Sequence, residues 1–181
     1  MKINFHFSLT HNYKILILIL FFYFLALFQD SFLSHFSVFG TSPNLILILF
    51  CLLSFFEGPY KYSNVFLAIA AGFFLDIFSN SFFGVSIFSL IIIYFFIKKT
   101  IHILRDISQK YSIAYFIPIF IFCMILYDFF FGLFSYFFNR STLSLSFFGG
   151  YVLSIKVAYN LFFAIIGFYL LFCFNRHFCR L

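Results

Sequence analysis

Apolar positions in this chain gather into six runs, Ile15 to Phe28, Leu45 to Phe56, Val65 to Phe78, Phe82 to Ile97, Ile113 to Phe138 and about Phe147 to Phe174, separated by short polar or charged stretches. A crossing of a hydrocarbon layer ~30 Å thick takes about 20 helical residues at ~1.5 Å each. The second and third runs, 12 and 14 residues long, are short by that measure unless their polar flanks extend the helix. They are read as true spans and not as a re-entrant hairpin. The stretch from Glu57 to Asn64 between them carries a Gly-Pro turn pair and both signs of charge, which is costly to hold in lipid. The pattern therefore predicts an all-α integral membrane protein, one domain over residues 1–181 with six transmembrane helices at about 13–29, 43–57, 64–78, 82–98, 112–138 and 147–174.

Composition agrees. The chain is 65% apolar, 28% aromatic and 9% charged, where soluble domains are roughly 45–50% apolar and about 25% charged, so a water-soluble monomer is excluded. The 38 Phe and absent Trp fit a compositional bias that fills lipid-tolerant positions with Phe, and aromatic stripes here carry little functional information. The net charge of +6 does not point to nucleic acid, because the basic residues are few and scattered.

The sidedness of those residues is informative. With the N-terminus in the cytoplasm, nine of the Lys and Arg (Lys2, Lys14, Lys61, Lys98, Lys99, Arg105, Lys110, Arg176 and Arg180) fall on the inner side and two, Arg140 and Lys156, on the outer half. That predicts both termini inside. Asp30 to Ser42 then reads as an outer interfacial segment, and Lys98 to Lys110 as the largest cytoplasmic loop, with Ile101, Leu104 and Ile107 at the spacing of a short amphipathic helix. The apolar N-terminal run lacks a small-x-small cleavage site and is read as an uncleaved first span.

Charged groups inside spans are the next signal, since each costs about 2.5–3.5 kcal/mol near the bilayer centre on translocon scales and usually faces a protein interior or a cavity. Asp76, Asp128 and Lys156 qualify. Asp76 stands roughly 18 Å and Asp128 roughly 22 Å from the cytoplasmic side, so both lie in the outer half. Lys156 enters from the outer side to a similar depth on the neighbouring antiparallel span, and an Asp128 to Lys156 ion pair is expected as a structural lock. The competing reading leaves Asp128 lining a small wet pocket while Lys156 snorkels to the interface. Asp76 precedes the helix-breaking Ser79-Asn80-Ser81 and Gly84. It either satisfies freed backbone groups in that turn or belongs to a ligand or partner pocket.

Enzyme chemistry finds little support. The five His lie near interfaces, and no HExxH, GxSxG or glycine-rich phosphate loop occurs. Cys51, Cys123 and Cys173 sit in apolar runs and read as small core residues, and Cys179 as part of a basic tail. Neither a metal nor another cofactor is expected.

Several short motifs fall in a recognisable order. Gln29 follows the first span, Gly40-Thr41-Ser42-Pro43-Asn44-Leu45 opens the second, Glu57-Gly58 follows it, and Gly72-Phe73-Phe74-Leu75-Asp76-Ile77-Phe78-Ser79 with Phe83-Gly84 closes the third. In that order the chain resembles the MreD family of rod shape-determining membrane proteins. It departs from the family pattern in having Asn44 where Asp is common, in lacking a second Gly in the third span and in a shorter spacing before Asp76. The second half matches in span count and length only. The resemblance implies a non-enzymatic scaffold of the bacterial elongation machinery in the inner membrane, one that binds the membrane helix of MreC and through it joins MreB filaments to RodA and a class B penicillin-binding protein. Ala68, Ala70, Ala71, Gly72 and Ser79 on or near the third span then suggest a small-residue groove beside Asp76 as the docking surface. The competing function is a substrate-binding subunit of a vitamin or small-molecule uptake transporter, with Asp76, Asp128 and Lys156 around the solute.

Overall fold

The structure, a computed structural model, describes residues 11–37, 41–56, 63–78, 83–105, 113–139 and 150–178. Six α-helices account for nearly all of them: α1 (His11–Ser31), α2 (Leu45–Phe56), α3 (Ser63–Phe78), α4 (Val85–Arg105), α5 (Ile113–Asn139) and α6 (Gly150–Phe178), with one 3-10 turn, Leu33–Phe36, after α1. Within them Val85–Ile103, Ile113–Phe134 and Ser154–Cys173 are long and apolar enough to cross a membrane, while Leu16–Ser31, Leu45–Phe56 and Val65–Phe78 are shorter apolar stretches.

Local chemistry accounts for the start of α2 and the length of α4. Pro43 and Asn44 open α2, and the Asn44 Oδ1 accepts the Leu47 N–H at 3.0 Å, an N-cap that satisfies one of the first-turn donors. Asn and Asp cap about equally well, so Asn44 serves here as an Asp would. α4 runs further than its hydropathy suggests. Lys98 to Arg105, expected as the start of a cytoplasmic loop, either solvated or carrying a short amphipathic helix, form the last two turns of α4. Lys, Thr and Arg are tolerable helix formers, so a helix outlasts its apolar run. Within this extension Ile101 is buried and Ile103 exposed, and Asp106 to Lys110 lie outside the described residues.

The shortest helix is the central one. α2 packs against all five others, and around it the order of touching neighbours is α1, α3, α4, α5, α6. Eight of its residues, Ile46, Leu47, Ile48, Phe50, Cys51, Leu52, Ser54 and Phe55, are buried. Phe55 meets Phe116 of α5 and Phe168 of α6 at ring centroid separations of 5.2 and 6.2 Å, distances at which aromatic pairs add to simple burial.

The closest helix pair is α3 with α4. A β-carbon on Gly72 would lie 2.4 Å from the Cα of Ile87, inside any possible contact, so glycine is what lets the two backbones meet. Gly72→Ala is therefore expected to force α3 from α4 and to cost about 1–3 kcal/mol as overpacking does. Gly132→Ala, inside α5 where a β-carbon meets nothing within 4 Å, serves as the control and is expected to lose nothing or to gain about 0.5–1 kcal/mol from helix propensity. Thermal unfolding of the two purified variants in detergent checks the difference.

Candidate functional site

Polar side chains converge at one end of the bundle, where α1 gives way to α2, α3 gives way to α4, and α6 begins. The turn between α3 and α4 supplies the firmest part. Asp76, 3% exposed near the end of α3, accepts the Gly84 N–H on Oδ2 at 2.7 Å and the Ser86 N–H on Oδ1 at 2.8 Å. Those are orphan donors at the start of α4, so the carboxylate of one helix caps the next, and its negative charge suits the positive end of the helix dipole. Gly84 has φ +100°, a conformation that glycine adopts without penalty. Of the two readings of Asp76, the turn-satisfying one matches this geometry: both oxygens are engaged within the chain.

Ser86 extends the link, its hydroxyl lying 3.0 Å from the Tyr127 hydroxyl of α5. The next residue, Asp128, meets Lys156 of α6: the Lys156 Nζ donates to Asp128 Oδ1 at 2.5 Å, with the side chains 28% and 12% exposed respectively. The structure thus brings together the two charges that the sequence placed at matching depth. Asp128 Oδ2 is buried and has no hydrogen-bond partner among the described residues. One turn along α6, Asn160 donates from Nδ2 to the Lys156 carbonyl at 2.8 Å and accepts the Asn44 N–H on Oδ1 at 2.7 Å. Gln29 of α1 accepts the Leu45 N–H on Oε1 at 2.9 Å. These bonds tie α1 and α6 to α2, α3 to α4, α4 to α5 and α5 to α6.

Beside the network lies a cavity of about 220 Å³, walled by Ala26, Gln29, Asp30, Ser42, Asn44, Ile46, Leu75, Phe78 and Tyr127. It has room for about seven waters at ~30 Å³ each and is smaller than the ≈ 300–1,000 Å³ usual for drug-sized ligands.

The small residues expected to form a groove on α3 lie inside the bundle: Ala68 and Ala71 are fully buried and Gly72 is pressed against Ile87 of α4. Small residues drive close packing wherever two helices meet, and sequence gives no sign of whether the second helix is internal. Ser79 lies outside the described residues. Gln29, Asn44, Ser86, Tyr127 and Asn160 join this network although none of them carries a charge. Asn160 carried a usable signal, a lone amide within an apolar span, whereas Tyr127 was hidden among many other aromatics.

Among the described residues no three His, Cys, Asp or Glu side chains stand close enough together to hold a metal ion. The arrangement joins helices through polar contacts that, Asp128 Oδ2 apart, are hydrogen-bonded within the chain.

Compared with known families, residues 10–177 match the family described as rod shape-determining protein MreD. No curated protein and no solved structure matches the chain.

Proposed function

The chain belongs to the MreD family, a multi-pass membrane family, and we propose that it acts as a non-catalytic scaffold in the bacterial inner membrane, holding the cell-elongation machinery together by binding the membrane helix of MreC. The family match across nearly the whole chain carries this reading. In the proposed setting all six helices cross the bilayer with both termini in the cytoplasm, and the polar network lies in the outer half. MreB, RodA and a class B penicillin-binding protein are joined only through MreC.

The network supports a scaffold because its polar groups are spent on holding helices in register. The cavity supports it too, being small for a vitamin-sized solute. An affinity-tagged chain extracted in mild detergent is expected to bring MreC with it, and its depletion is expected to round the cells. Recovery of the chain with a tightly bound small solute and without MreC would favour the uptake-transporter reading instead.

A further inference from the structure

The ring of helices around α2 is incomplete. Five helices surround it, neighbours touch from α1 through α3, α4 and α5 to α6, and the two ends of that series share no extensive packed interface among the described residues; they are bridged at one end, where the Tyr159 hydroxyl of α6 donates to the Phe36 carbonyl in the turn after α1 at 3.2 Å. Packed helices stand about 8–10 Å apart, and six cylinders of equal width fit around a seventh, so five leave one place of helix width between α1 and α6. The surface of α2 records the same opening independently. Its only incompletely buried residues are Leu45, Leu49, Leu53 and Phe56, a single stripe at spacings of four, four and three. At ~100° per residue, Leu49 and Leu53 point between Leu52, which reaches the Gly167 position of α6, and Ile46, which shares the cavity wall with Ala26 of α1. The wall on the other side is underused as well: 17% of the apolar stretch of α6 is buried, against 39% for α4 and 33% for α5.

We infer that the seam between α1 and α6, floored by Leu49 and Leu53 of α2, receives one partner membrane helix. Its shape selects the occupant. The floor is recessed between two walls and the place is one helix wide, so a lone helix from a single-span protein fills it, whereas a helix of a second copy would carry the rest of its bundle against the walls of α1 and α6. This inference rests on the proposal that the chain binds the membrane helix of MreC, and it moves that contact from α3 to the far side of α1.

The test places a photoreactive amino acid at Leu49 or Leu53 of the full chain in cells expressing MreC, with Phe66 of α3 and Phe95 of α4, 64% and 61% exposed, as control sites. Each variant is first required to elute as the intact chain does. Cross-links to the MreC membrane helix are expected from Leu49 and Leu53 and to be lost from Phe66 and Phe95. MreC captured from the control sites and not from α2 would overturn the seam while leaving MreC binding in place. No MreC captured from any site would overturn both. Capture of lipid alone at Leu49 and Leu53, with MreC still co-purifying, would assign the seam to acyl chains and overturn the inference.

Discussion

Replacing Asp76 with alanine is expected to lower the stability of the detergent-solubilised protein by about 3 kcal/mol, since a buried N–H group, that of Ser86, and a partly buried one, that of Gly84, lose their acceptor at the start of α4, and each such loss costs about 1–3 kcal/mol, less for the partly buried one. Asp76→Asn separates the cap from simple volume. The amide keeps one acceptor oxygen but turns an NH2 toward the other N–H, so about half or more of the loss should remain. Far-UV circular dichroism during titration with a denaturing detergent reads both. Alanine and wild-type proteins unfolding at the same midpoint would remove the cap from this account. Because both carboxylate oxygens are engaged within the chain, Asp76→Ala should reduce MreC recovery only as far as it reduces folded protein.

The helices themselves were legible because an apolar run bounded by charge has few alternatives in lipid. The shortness of the second and third runs also appears in the structure, where α2 has 12 residues and α3 has 16. What the runs concealed was which faces are inside. In water the buried face of a helix is the apolar one, but in a membrane protein-facing and lipid-facing surfaces are both apolar. Hence nothing in Leu45 to Phe56 marked α2 as the centre, and nothing about Ala68 and Gly72 told an internal contact from a docking face. Charge was more informative. A buried carboxylate or ammonium restricts its neighbours so strongly that Asp128 and Lys156 could be matched by depth alone, and Asp76 by the turn that follows it. Neutral polar groups such as Ser86 and Asn160 cost less where they stand, and only the structure revealed that they connect the charged ones.

The Asp128 and Lys156 contact yields the second large effect, and the asymmetry of the pair is its signature. Removing one member of a buried ion pair typically costs 3–5 kcal/mol. Here Lys156 is 28% exposed and Asp128 12%, so solvent screening brings the expected loss for Lys156→Met down to about 2 kcal/mol. Asp128→Asn should cost less. The ammonium that it leaves behind stands on a long flexible stem that can turn toward the polar end of the bundle, whereas Lys156→Met strands a carboxylate whose Oδ2 already lacks a partner among the described residues. The double variant Asp128→Asn with Lys156→Met should recover most of the loss, because an uncharged pair of similar volume carries no desolvation penalty. Exchanging the two, Asp128→Lys with Lys156→Asp, should restore folding in part, since the charges still meet but from side chains of changed length. If neither double variant unfolds at a higher denaturant level than the worse single one, then α5 and α6 are held by their apolar contacts and the proposed lock between them is lost.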